Sequence, residues 1–157
     1  MTLATFYSGW GEYQAMLIDA IAPLSAEQLA LRAGPALRPV WLLAAHIVAA
    51  RVWWFQGWMG EGDATLAELD PWDDDDAPPR AATELVDGLE RTGRMITGCL
   101  GRWTPAMLDD PFVRQRGGAS ETETRGWIVW HVMEHDLHHG GELFLTLGLH
   151  GLPTPDM

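Results

Sequence analysis

Lysine is absent from this chain of 157 residues, and all ten basic residues are arginines. They stand against 22 acidic residues, so the formal net charge is −12. Nucleic acids and anionic membranes are bound through basic surfaces, and such an acidic balance argues against both as partners. A long apolar run is also missing, because the longest, residues 39–50, is shorter than the roughly 20 residues of a membrane-spanning helix. We therefore expect a soluble protein.

Cysteine is nearly absent as well. The single Cys99 excludes an intramolecular disulfide bond and fits a reducing compartment, and the chain opens without a secretory signal pattern. We therefore expect a cytoplasmic protein. Cys99 shares an apolar helix stripe with Leu89 and Ile96, which predicts a small buried side chain rather than a nucleophile.

No segment shows the alternation of a half-buried strand, whereas apolar residues recur at helical spacing in four segments. The predicted helices cover the first 20 or so residues and then residues 39–60, 81–100 and 120–148. Ser120 and Glu123 resemble a capping box at the start of the fourth helix. The chain length suits one substantial core, so we expect a single domain over residues 1–157. The predicted fold is all-α, an antiparallel four-helix bundle.

An acidic linker, residues 61–79, joins the second and third predicted helices. Its aspartate run Asp73–Asp76 is followed by Pro78 and Pro79, and this composition predicts a solvated loop without regular structure. A second, irregular loop is expected around the glycine pair at 117 and 118.

The fourth predicted helix contains a segment, residues 127–143, with four of the six histidines. Side chains four apart on a helix lie above one another, so two imidazoles at that spacing can bind one metal ion. Two such pairs exist, His131 with His135 and His135 with His139. A third ligand can come from His46 on the second predicted helix. Buried imidazoles need hydrogen-bonding partners, and one metal ion satisfies several of them at once.

Simpler roles remain open for the same residues. His138 and His139 can complement the negative end of the helix dipole, and His46 can be a hydrogen-bonded core histidine. Nine tryptophans are many for this length, and six of them lie near the histidines in sequence. They predict core and dimer-interface packing, or else the aromatic wall of a substrate pocket.

The signature His135-x-x-His138-His139-x-Gly141, together with His46, resembles the DinB superfamily. The resemblance covers essentially the whole chain. It implies a four-helix bundle that forms homodimers and holds a divalent metal, zinc or nickel, through His46, His135 and His139. His131 is the alternative partner of His135, and His138 is expected beside the site.

Two residues depart from the usual DinB pattern. Gly140 replaces a basic residue, and Glu142 replaces a common glutamine. A carboxylate about one turn from His139 can be a fourth ligand, a catalytic general base or a hydrogen-bond partner that orients a ligand. We take Glu142 as the candidate catalytic residue.

Three functions fit such a site. Three histidines with an open position favour a metal-dependent enzyme, because the metal lowers the pKa of a bound water or thiol. The resemblance implies a transferase or isomerase that uses a low-molecular-weight thiol such as mycothiol or bacillithiol. The alternatives are a small hydrolase with Glu142 as the base, and a non-catalytic dimeric metal-binding or stress-response module.

Overall fold

The computed structural model describes residues 2–155. Its α-helices are α1 (Leu3–Phe6), α2 (Ser8–Ile21), α3 (Ala26–Leu29), α4 (Val40–Val52), α5 (Ala82–Arg102) and α6 (Arg125–Leu149). Two 3-10 helices, Ala64–Asp73 and Pro105–Asp109, and two strands, β1 (Pro111–Arg116) and β2 (Ala119–Thr124), lie between them. The long helices α2, α4, α5 and α6 pack around one apolar core, which confirms the predicted helical bundle. Within residues 2–155, no helix is long and apolar enough to cross a membrane.

Helix α4 lies at the centre of the bundle, because it packs against α5, α6 and the 3-10 helix Ala64–Asp73. A helix that is covered on most sides needs apolar residues on most sides. The ionisable residues of α4 are His46 and Arg51 alone. Beyond Val52 the helix continues as a π-helical segment, Trp53–Trp58, so the predicted second helix is confirmed.

The prediction of an irregular, solvated linker over residues 61–79 is wrong for its first half. Residues Ala64–Asp73 form a 3-10 helix. Its residues Leu66, Leu69 and Trp72 recur every three positions, which is the period of such a helix, and all three are buried against the core. The segment is ordered because its apolar residues share one face, although most of its other residues are exposed.

A β-hairpin replaces the irregular loop expected around Gly117 and Gly118. Strands β1 and β2 pair antiparallel along their whole length. Gly117 and Gly118 have φ values of 57° and 84°, which the two-residue turn between twisted strands requires. Much of the hairpin is exposed, so its sequence lacks the apolar alternation that predicts strands.

Helix α6 begins later than the sequence suggested. Ser120 and Glu123, which resemble a capping box, lie in β2 instead. The N-cap is Thr124, whose Oγ1 accepts a hydrogen bond of 3.2 Å from the backbone N–H of Trp127. A serine three residues before a glutamate fits a polar strand as well as a helix start, and pairing with β1 decides between them.

Cys99 is buried in the core, as predicted. Its Sγ lies 3.6 Å from a carboxylate oxygen of Glu61. Burial, together with the negative charge of Glu61, raises the pKa of the Cys99 thiol to about 11. Because the thiolate is the nucleophilic form, this side chain acts as a small core residue at neutral pH.

One buried polar network joins the four long helices. Arg51 of α4 and Asp136 of α6 are fully buried, with Nη2 of the arginine 2.9 Å from Oδ2 of the aspartate. The same Oδ2 accepts a hydrogen bond of 2.7 Å from the indole N–H of Trp10 on α2. Arg51 Nη1 also donates to Thr92 Oγ1 on α5 at 3.2 Å. This network therefore fixes α2, α4, α5 and α6 relative to one another.

Gly140 lies where α2 and α6 approach closely. A β-carbon at this position would overlap the hydroxyl of Tyr13 and press on Leu17. The same hydroxyl donates a hydrogen bond of 3.3 Å to the carbonyl oxygen of Leu137. There is no room here for a side chain, so helix packing explains why glycine occupies this position.

Replacing Gly140 by alanine is expected to destabilise the protein by about 1–3 kcal/mol, because the added methyl group overfills a packed helix interface. Gly141→Ala is the matched control, since nothing lies within 4 Å of a β-carbon there. Alanine should stabilise that position by up to ~1 kcal/mol through its higher helix propensity. Urea unfolding measures the free energy of unfolding of both variants, and an equal change at the two positions would contradict the close approach of α2 and α6.

Candidate metal centre

Three histidines from two helices meet on one side of the bundle. His46 comes from α4, and His135 and His139 come from α6, which packs against α4. Each histidine contributes one ring nitrogen to a group of three, and these three nitrogens all lie within 4.8 Å of one another. The Nε2 atoms of His46 and His135 are 3.0 Å apart, and the ring of His139 lies 4.4–4.6 Å from the other two ring centres. The structure thus brings together the three residues that the sequence singled out.

Carboxylates hold two of these imidazoles. Asp73 Oδ2 lies 2.5 Å from His46 Nδ1, and Glu142 Oε2 lies 2.7 Å from His139 Nδ1. An ionised carboxylate only accepts hydrogen bonds, so these contacts place the imidazole protons on the two Nδ1 atoms. The Nε2 atoms of His46 and His139 are then unprotonated, and they are the nitrogens available to a metal.

His135 is held differently. Its Nδ1 is buried without a hydrogen-bond partner among the described residues. Burial, reinforced by the neighbouring His139 and His46, lowers the pKa of His135 to about 3. Burial also lowers the pKa of His139, although Glu142 opposes this shift. Neutral imidazole is the form that binds metal, so both rings are kept in the metal-binding state at neutral pH.

The residues fit a divalent metal. Two imidazole nitrogens that bind one ion at about 2.1 Å stand roughly 3 to 3.5 Å apart. The 3.0 Å between Nε2 of His46 and Nε2 of His135 matches that spacing. Imidazole ligands suit zinc and nickel among other first-row metals.

His131 and His138 lie beside this group. The His131 ring stacks on Trp127 at 4.8 Å, meets Trp54 edge-on and lies 6.0 Å from the His135 ring. His138 is exposed, and it forms a second, surface group with His139 and Glu142. Of the two helical pairs that the spacing left open, the pair His135 and His139 is the one grouped with His46.

Two cavities flank the three histidines. The first, which we call the acidic cavity, has a volume of about 420 Å³, and its lining includes His46, Trp53, Trp54, Asp70, Asp73, Asp74, His131 and His135. The second, the apolar cavity, measures about 290 Å³, and its lining includes Leu37, Arg38, Leu43, His139, Glu142 and Leu145. Of the tryptophans, Trp10 and Trp72 are buried in the core, whereas Trp53 and Trp54 line a cavity. A substrate pocket and a dimer interface both stay predictions.

Asp73 is the site residue that the sequence prediction missed. Because Asp73 opens a run of four aspartates, the sequence predicts a solvated loop at this position. The available signal was the three-residue spacing of Leu66, Leu69 and Trp72, which indicates a short helix packed against the core and ending at Asp73. The partner itself, His46, is 27 residues away, and no local pattern connects the two.

Metal-free protein is expected to lose stability as the pH falls from about 6.5 towards 3. In this range the unfolded chain protonates His135, whereas the folded chain, with the pKa of His135 lowered to about 3, does not. The unfolded state thus binds more protons, and the free energy of unfolding falls with acid. Between pH 7 and 5, wild type should lose ~2 kcal/mol more than His135→Asn in urea unfolding. Equal losses would contradict a buried neutral imidazole.

The sequence model of the DinB superfamily matches residues 11–143. The fold resembles a DinB-like protein from Bacillus cereus ATCC 10987, with 20% identity, a TM-score of 0.74, and coverage of 99% of this chain and 97% of that one. It also resembles a DinB-like protein from Bacillus subtilis, with 15% identity, a TM-score of 0.64, and coverage of 98% and 96%. No curated protein matches the chain. The family match spans most of the sequence and the fold agrees with it, so this chain belongs to the DinB superfamily.

Proposed function

We propose that this protein binds one divalent metal ion through Nε2 of His46, His135 and His139 and uses it in a reaction on a small molecule. The observation that carries the proposal is the convergence of three imidazole nitrogens, two of them with their lone pairs directed by carboxylates. In the metal-free protein, Nε2 of His46 and Nε2 of His135 share a hydrogen bond of 3.0 Å, with one proton between them. A divalent ion can replace that proton and accept the lone pairs of all three nitrogens. Zinc or nickel is the expected metal.

The chemistry we propose first is thiol-dependent group transfer or isomerisation. A bound metal would lower the pKa of a thiol or water that reached its open side. The acidic cavity gives a small molecule access to His46 and His135, and Trp53 and Trp54 offer apolar walls for its carbon skeleton. These cavities favour an enzyme over a closed structural site, which would need no space beside its ligands.

Cobalt-loaded protein tests this function, because a thiolate bound to cobalt(II) gives a charge-transfer absorption in the near ultraviolet. Titration with mycothiol and bacillithiol should produce this band, and zinc- or nickel-loaded protein should transfer the same thiol to an electrophile. His46→Ala, treated identically, is the control. Metal-loaded wild type that gives neither the band nor transfer would reject thiol chemistry.

A second candidate is hydrolysis, since Glu142 lines the apolar cavity beside His139. Glu142→Gln keeps an oxygen that can accept the hydrogen bond from His139 Nδ1, but it loses the basic carboxylate. If Glu142 is the general base, this variant should retain its metal and lose hydrolytic turnover by 10²- to 10⁴-fold. Turnover against an ester panel and metal content measure the two effects, and unchanged turnover removes the role.

We also propose that the protein is a homodimer. Exposed large apolar side chains recur along α6, and this pattern supports an interface there: Trp127, Trp130, Leu137, Leu145 and Leu149. Light scattering of the protein as it elutes from a size-exclusion column is expected to give twice the chain mass of 17.4 kDa. A monomeric mass at micromolar concentration would contradict the dimer and leave the metal site unaffected.

A further inference from the structure

We propose that Asp73 is a positioning residue of the metal centre: its carboxylate fixes the tautomer and rotation of His46, and it thereby couples the 3-10 helix Ala64–Asp73 to metal affinity. This inference rests on the proposed function, because it concerns how the same three histidines bind their ion.

The contact between Asp73 and His46 is short and partly shielded from water. Asp73 Oδ2 lies 2.5 Å from His46 Nδ1, and the two side chains are 26% and 20% exposed. A hydrogen bond between an imidazole N–H and a carboxylate is charge-assisted and strong. It holds the proton on Nδ1 and turns Nε2 towards His135, 3.0 Å away.

Apolar anchors bring Asp73 to this position. The neighbouring Trp72 is buried, and its ring lies against Gly88 of α5 so closely that a β-carbon there would stand 2.7 Å from a ring carbon. Leu69, one turn earlier, is also buried. Asp73 is therefore held by the core, whereas the next aspartate residues, Asp74 to Asp76, are exposed.

Losing the carboxylate should weaken metal binding without removing any ligand. The two neutral tautomers of His46 then compete, and the ring can rotate about its side-chain bonds. Removal of a partner that orients a metal-binding histidine typically lowers metal affinity by about 10- to 100-fold. The segment Ala64–Asp73 is thus part of the metal centre, although it supplies none of the three imidazoles.

Zinc affinity of Asp73→Ala, Asp73→Asn and Asp75→Asn, measured by isothermal titration beside wild type, tests this inference. Asp73→Ala should bind zinc about 10- to 100-fold more weakly. The zinc affinity of Asp73→Asn should lie between those of Asp73→Ala and wild type, because an amide oxygen accepts the hydrogen bond but carries no charge. Asp75→Asn is the matched control, since it removes the same charge from an exposed position two residues away and should change affinity less than about threefold.

Nitrogen-15 NMR of the metal-free protein gives a readout that does not depend on the metal. His46 of wild type should carry its proton on Nδ1, and Asp73→Ala should shift the population towards the Nε2–H form. A zinc affinity of Asp73→Ala equal to wild type, an equal loss in Asp75→Asn, or an unchanged His46 tautomer would each overturn the inference. Wild type that binds no zinc but shows the Asp73-dependent tautomer would instead reject the proposed function.

Discussion

Alanine at His46, His135 or His139 is expected to reduce bound metal from about one ion per chain to less than about a tenth of that value. Each substitution removes one of three imidazole ligands, and the two that remain form an incomplete site. Mass spectrometry of untagged protein, after incubation with zinc or nickel and removal of the excess, measures the metal content.

Two further histidines provide controls for this experiment. His131→Ala and His138→Ala remove imidazoles that lie next to the group of three but outside it, so both variants should keep their metal. Loss of metal in His131→Ala with retention in His139→Ala would move the site to the other helical pair. A wild type that stays empty with both metals would leave the helical bundle intact and favour a role in molecular interaction over catalysis.

Asp136→Ala is expected to lower the free energy of unfolding by about 3–5 kcal/mol. Asp136 and Arg51 are fully buried, so the substitution leaves the guanidinium of Arg51 without its counter-charge in the core. It also removes the acceptor for the indole N–H of Trp10. Urea unfolding of metal-free protein measures the loss directly, without a contribution from metal binding.

An exposed ion pair supplies the matched comparison. Glu90 and Arg94 lie 3.5 Å apart on the surface of α5, and Glu90→Ala should cost less than about 0.5 kcal/mol. Replacing the buried pair as a whole, with Arg51→Met and Asp136→Leu, should recover much of the lost stability, because no unpaired charge then remains. A small effect of Asp136→Ala alone would show that water reaches Arg51.

The buried pair also bears on the metal centre. Asp136 directly follows the proposed ligand His135 on α6, and Arg51 lies five residues after His46 on α4. The ion pair therefore links the two helices that carry the three histidines. Because the ion pair holds α4 and α6 at one fixed position relative to each other, we expect the double replacement to fold but to bind zinc less tightly than wild type, as measured by isothermal titration.

Local sequence patterns were sufficient for the four long helices and for locating the group of histidines, whereas the choice of His46, His135 and His139 followed from the family resemblance. The spacing of apolar residues predicted the extents of α4 and α5 closely, because a helix face that meets the core must repeat every three to four residues. The four-residue spacing of His135 and His139 likewise places both rings on one side of α6. The position of His46 on an apolar helix indicated that it faces inwards.

Three features were decided by tertiary contacts alone. Asp73 reaches His46 because Trp72 packs against Gly88 on another helix. The hairpin β1–β2 depends on pairing between two polar segments that carry no apolar alternation. Gly140 is required because Tyr13 of α2 occupies the space beside it.

The sequence by itself determined the four long helices and which imidazoles share a face of α6, since both follow from interactions within a few residues. Only the tertiary structure decided which carboxylates hold those imidazoles across helices, where the hairpin forms and how closely α2 meets α6. These features depend on contacts between residues far apart in the chain, and such contacts leave no periodic trace in the sequence around either partner.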